Sequence, residues 1–289
     1  MTTKNQTANG IVLILLGTIC LCISDALAKS LSSFYAPVQL IFLRTLVVAP
    51  FLLVFVWRTA GAKALRSRTP RLHLFRGACN VASACLFYLG LRHLALAEAT
   101  VIAFLAPILV VVLSAWVLRE RVLARNWLAV FAGFGGVLFI VDPGAESLSV
   151  VALYPLGAAA GYAVMMISAN YLDRQETMST MLLYLVISQL AVSALFVPFF
   201  WTDVQPAHWL AIVGIGVAST AGLGLITQAF RTAASTVIAP FDYAAIIWAS
   251  LIGWFVWNEV PTLGFYAGAA LIVVSGIYNT LAHWSVSAK

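Results

Sequence analysis

The chain has 289 residues, of which 63% are hydrophobic and 9% charged, and its mean hydropathy is +1.00. Soluble domains carry roughly 25% charged residues, so this composition excludes one and places the chain in a bilayer. The formal net charge of +6 then belongs to membrane topology, not to a nucleic-acid partner.

A membrane span needs about 20 mostly apolar residues, and lipid admits only helices or closed barrels. Runs such as Val101 to Leu118 suit helices and exclude alternating barrel strands. The sequence therefore predicts an all-α polytopic membrane protein with ten transmembrane helices. In chain order they are Gly10 to Leu31, Pro37 to Trp57, Leu72 to Leu91, Leu94 to Leu118, Trp127 to Val141, Val150 to Tyr171, Met178 to Phe200, Trp209 to Phe230, Ala233 to Trp257 and Leu263 to His283, punctuated by charge, Gly and Pro. The fifth is short, and only a tight turn at Arg92-His93 parts the third from the fourth.

Loop charges test that count. Lys4, the cations from Arg58 to Arg71, Arg119, Arg121, Arg125, Arg174, Arg231 and Lys289 fall on one side, and Lys29 and Arg92 on the other. Excess Lys and Arg mark cytoplasmic loops, so both termini are expected in the cytoplasm. Lys4, an apolar run and Ala26-Leu27-Ala28 also fit a signal peptide, but cleavage there would strip the first helix. Cys20, Cys22, Cys79 and Cys85 lie inside predicted helices without metal-ligand spacing and read as buried thiols.

Short words recur at one offset. Val81-Ala82-Ser83 returns as Val217-Ala218-Ser219, and Thr100-Val101-Ile102-Ala103 as Thr236-Val237-Ile238-Ala239, each 136 residues later. Leu128, Ala132 and Gly133 return as Leu263, Ala267 and Gly268 at offset 135, and Glu120 and Glu259 close helices four and nine. Ten helices divide into five and five. An odd number per copy inverts the second copy, the signature of an inverted-repeat transporter. The expected organisation is a tail over 1–9, a first repeat over 10–142, an inverted second repeat over 149–283 and a tail over 284–289.

Two five-helix halves, Arg44 within helix two, and a Glu closing helices four and nine before a turn resemble the drug/metabolite transporter superfamily in its EamA-type branch. The resemblance spans essentially the whole chain, and within the family it is greatest to bacterial exporters of amino acids, including aromatic ones. It implies a multi-pass protein of the bacterial inner membrane that moves a small metabolite by alternating access, without ATP. Other solutes (a vitamin, a nucleoside, a drug) are alternatives within transport. An intramembrane enzyme or scaffold is the alternative outside it.

Polar groups at mid-membrane are costly, by about 2.5 to 3.5 kcal/mol for a charge on insertion scales, so they mark a cavity or a partner. On helix three, Arg76, Asn80, Ser83 and Phe87 form one stripe, with Arg76 expected to snorkel toward the cytoplasm and the others to line a path or pack. On helix nine, Pro240-Phe241-Asp242-Tyr243 predicts a break near mid-membrane, where opened backbone and Asp242 would meet a zwitterion. Pro107 interrupts helix four in the other copy. Tyr162, Met166 and Asn170 share a face of helix six, and with Phe104, Tyr243 and Trp248 they are candidates for an adaptable pocket or for packing.

A second group, Asp25, Lys29, Arg44, Arg92 and Glu98, gathers toward the noncytoplasmic end. Opposite charges at similar depth suggest an outer gate whose partners exchange, or else a local Asp25 to Lys29 pair at i, i+4 with snorkelling cations. Asp25, Glu98 and Asp242 are also the carboxylates available for proton coupling. Ala129-xxx-Gly133 and Gly264-xxx-Gly268 permit close helix approach in the scaffold or a homodimer. With no Walker loop, metal cluster, paired nucleophile and base, or dinucleotide fingerprint, no cofactor, no metal and no enzymatic activity are expected. The expected partners are lipid and a small molecule.

Overall fold

In the computed structural model, residues 4–61, 65–117, 124–141, 150–172, 176–232 and 241–287 are described. Lipid offers backbone groups no partner, so every span must bond internally, and the described residues are helical throughout with short turns. The first half holds α1 (Lys4–Leu31), α2 (Pro37–Ala60), α3 (Pro70–Leu91), α4 (Leu96–Ala103), α5 (Ala106–Val117) and α6 (Ala124–Val141). The second holds α7 (Leu153–Ser168), α8 (Met178–Phe196), α9 (Trp209–Thr232), α10 (Ala244–Trp257) and α11 (Leu263–Ser287). Six segments are long and apolar enough to cross a membrane, with α4 and α5 forming one of them, and four shorter apolar helices accompany them.

The fourth span breaks at Phe104-Leu105, just before Pro107, the second residue of α5. Proline has no N–H to give the Ala103 carbonyl, and its ring crowds the preceding turn. The chain tightens there: Phe104 N–H reaches Val101 O at 3.1 Å and Leu105 N–H reaches Ile102 O at 3.1 Å, before Leu109 N–H returns to Leu105 O at 2.9 Å. In the ninth segment, Phe241 and Asp242 are helical, Tyr243 is a turn and α10 follows. Pro240 lies outside the described residues, as do Glu120 and the predicted boundary between halves at 143–149.

Helices of one half pack mainly on helices of the other. α1 lies on α9 and α10, α3 on α7 and α8, α2 on α8, α4 on α10, α5 on α7, and α6 on α11. The α6 and α11 pair is close because glycines face each other: a Cβ on Gly136 would lie 2.7 Å from Gly268 O, and one on Gly264 2.6 Å from Phe139 O. The predicted glycine motif of helix ten thus serves packing within the chain.

One polar knot joins two loops at the end of the bundle where α3 and α8 begin. Glu176 Oε1 accepts from Ser67 Oγ (2.6 Å), Arg68 N (2.9 Å), Thr69 N (3.1 Å) and Thr69 Oγ1 (3.0 Å), while Oε2 meets His73 Nε2 at 2.6 Å. Burial alone would push the Glu176 carboxyl up, but hydrogen bonds from Ser67, His73, Thr69 and Arg68 outweigh it and hold the carboxyl at about 2. The linkage has a definite sign: the knot's contribution is complete above the ordinary value of 4.5 and is lost as pH falls from there through about 2. Glu176→Gln should cost about 1 to 3 kcal/mol at neutral pH, because it weakens a buried acceptor that serves several donors. It should also flatten the acid limb of a thermal-unfolding profile recorded between pH 5 and 2, and an unchanged acid limb would remove this role.

Candidate functional site

A cavity of ≈ 460 Å³ opens among the helices, within the range of about 300 to 1,000 Å³ usual for small-molecule sites. Its walls come from α1, α2, α3, the broken fourth span, α7, α8, α9 and the turn ahead of α10. Helices α6 and α11 contribute no described residue to it and stand outside as scaffold.

The helix-three stripe divides. Asn80, Ser83 and Phe87 line the cavity, with Ser83 Oγ donating to Ala158 O at 2.6 Å and Asn80 Nδ2 to Met165 Sδ at 3.2 Å. Arg76 departs from the snorkelling expected of it. It is 8% exposed, and its guanidinium donates to Met165 O at 3.0 Å, a carbonyl near the end of α7 that satisfies a buried donor. Phe104, Pro107, Tyr162, Met166 and Asp242 also line the cavity. Tyr243 supports the wall from behind, its ring centroid 4.9 Å from that of Phe104. Trp248 packs in the surrounding core, with its indole Nε1 buried and unpartnered among the described residues.

The predicted gate charges do not form one network. Asp25 and Arg44 line the cavity. Arg44 donates to the buried Tyr88 hydroxyl at 2.6 Å and lies 5.6 Å from its ring centroid. Lys29 forms its ion pair with Glu259, not with Asp25, and also donates to Leu94 O at 2.9 Å and faces the Trp257 ring at 5.0 Å. Asn258, in the left-handed region at φ 54, ends α10 and turns Glu259 back. Glu259 Oε2 accepts the Leu96 N–H at 2.9 Å, an orphan donor at the start of α4. Arg92 is exposed and donates to Tyr35 O at 2.8 Å, and Glu98 Oε2 accepts the Ala95 N–H at 3.2 Å at the start of α4. Lys29, Glu259, Arg92 and Glu98 all sit at the end of the bundle where α3 turns into α4.

Sequence reasoning missed several lining residues: Thr18, Cys22, Tyr88, Gln189, Ser219 and Thr220. The repeat held a signal for one of them: Ser219 matches Ser83 at offset 136. Cys22 was expected as a buried thiol and is 3% exposed, donating to Ala245 O at 3.3 Å beside the cavity.

A helical bundle that spans the membrane many times around a solute-sized, partly charged cavity defines a membrane transport protein. The chain belongs to the EamA-like transporter family, whose sequence model matches residues 8–142 and again 149–281. It is 29% identical over 279 residues to the pseudopaline exporter CntI of Pseudomonas aeruginosa (strain UCBPP-PA14), covering 93% of this chain and 95% of that protein. It is 24% identical to the S-adenosylmethionine uptake transporter of Rickettsia prowazekii (93% of this chain, 92% of that one) and 26% identical to the riboflavin transporter of Vibrio cholerae (97% and 95%). A solved crystal structure shares the fold at TM-score 0.64 and 21% identity, over 96% of this chain and 98% of that one. The relatives' names thus describe transporters of small molecules, with both uptake and export among them.

Proposed function

We propose that this protein is a secondary transporter of the bacterial inner membrane that exports amino acids with hydrophobic or aromatic side chains by alternating access. The observation that carries the reading is the ≈ 460 Å³ cavity, where Asn80, Asp25, Arg44 and Asp242 share the walls with Phe87, Phe104, Tyr162 and Met166. Mid-membrane charge is costly unless it faces a cavity or a partner, and apolar and aromatic walls suit an apolar side chain.

The two halves are read as inverted copies, with both termini cytoplasmic. Helix pairing supports two related copies, and the inversion then follows from five spans in each. Exchanging the halves converts the α1 and α9 contact into that of α7 and α3, and the α1 and α10 contact into that of α7 and the fourth span. It leaves α2 with α8, and α6 with α11, unchanged. A pseudo-two-fold axis in the membrane plane produces that pattern and lets the halves rock about a central site.

Radiolabelled flux into liposomes containing only this protein tests the reading. Phenylalanine, leucine and other apolar amino acids should exchange well above protein-free liposomes. Flux of riboflavin or S-adenosylmethionine with none of any amino acid would contradict the cargo and leave the transport class in place.

A further inference from the structure

Two carboxylates line the cavity from different elements without a hydrogen-bond donor among the described residues, Arg44 lying within electrostatic reach of Asp25. Asp25, on α1, and Asp242, just ahead of α10, both line it. The two elements are linked nearby, where the Cys22 thiol donates to Ala245 O at 3.3 Å. Cys22 precedes Asp25 by three residues on α1, the spacing that puts the two on one helical face, and Ala245 follows Asp242 by three across the turn at Tyr243. The Cys22 thiol is within electrostatic reach of both carboxylates. Arg44 is the one described cation in the lining, and its NH1 is taken by the Tyr88 hydroxyl. Phe104 and Tyr162 add aromatic faces to the same wall, and such faces attract cations.

We infer that Asp25 and Asp242 form a subsite for a cationic amine of the cargo, so the cavity accepts solutes bearing an ammonium group and rejects acidic solutes that lack one. The inference rests on the transport reading and deepens it. Two acidic groups outnumber the one guanidinium in the lining, and a cation entering the desolvated cavity favours their ionised forms and is held strongly by them. A zwitterion satisfies the site by presenting its ammonium to the carboxylates and its own carboxylate toward Arg44. A solute with an ammonium alone remains acceptable, and one with a carboxylate alone does not.

The test measures entry of three probes into liposomes holding the purified full-length protein: L-phenylalanine, L-phenylalaninamide and N-acetyl-L-phenylalanine. After subtraction of entry into protein-free liposomes, phenylalaninamide should enter at least tenfold faster than the N-acetyl compound. Asp25→Asn and Asp242→Asn should each lower amine entry at least tenfold, and Asp242→Glu should restore part of it. Thermal-unfolding midpoints close to the parent's separate these losses from misfolding. Equal entry of the amide and the N-acetyl compound, or amine entry that survives both Asn substitutions, overturns the subsite. Entry of the amide without phenylalanine upholds the subsite and removes amino-acid export. Entry of riboflavin alone, unaffected by either substitution, overturns the subsite and the amino-acid cargo together.

Discussion

Replacing Lys29 by Met is expected to raise at least tenfold the rate at which a maleimide modifies a cysteine introduced at Ala97, in a background whose four native cysteines are serine. Ala97 is 5% exposed and lines a small cleft with Glu98 and Glu259, next to the Lys29 pair. The side chains of Lys29 and Glu259 are 11% and 23% exposed. Removing one partner of a buried pair costs about 3 to 5 kcal/mol because the other charge stays behind, and the partial exposure here puts the cost at the low end. A tenfold change in an opening equilibrium needs only about 1.4 kcal/mol. Glu259→Gln should act in the same direction but less strongly, since its carboxamide oxygen still accepts from the Leu96 N–H. The double variant should cost less than the two singles added, because the orphaned charge is then gone. An Ala97→Cys labelling rate indifferent to Lys29→Met would show that the pair does not hold this end shut.

The spans were legible because a bilayer imposes a length. Any stretch of about 20 apolar residues bounded by charge declares itself, and α2 begins at Pro37, α8 at Met178 and α11 at Leu263, where the sequence places them. The break in the fourth span was legible too, since Pro107 acts on its own neighbours. What the sequence concealed were meetings between distant segments. Lys29 and Glu259 are separated by 230 positions, and Glu176 and Ser67 by 109. Helical arithmetic offered Asp25 to Lys29 because i, i+4 spacing shows who can meet within a helix, not whom the next helix presents. Arg76 illustrates the same limit. It shares a face with Asn80 and Ser83, yet the α7 carbonyl above it, absent from any periodicity, decides where its guanidinium goes. The repeat was the one long-range signal available, and following it from Ser83 to Ser219 would have found a lining residue that single-helix reasoning passed over.

On the proposed function, solute passes through the cavity between the two halves. Small residues in its wall allow that claim to be tested by filling the space. Ala84 on α3 and Ala103 at the end of α4 both line the cavity and are partly buried. A Trp at either place projects a large, rigid ring into ≈ 460 Å³ of space, and aromatic side chains bury about 150 to 250 Å² each. Because the ring enters existing space instead of a packed core, the destabilisation should stay within the 1 to 3 kcal/mol usual for overpacking, and a thermal-unfolding transition should persist. Leu210→Trp, at a position 83% exposed on the outside of α9, is the matched control. The decisive measurement is amino-acid flux into liposomes for the parent, Ala84→Trp, Ala103→Trp and Leu210→Trp. The account predicts that both cavity variants fall to the level of protein-free liposomes while Leu210→Trp keeps the parent's rate. Parent-level flux with the cavity filled would contradict it.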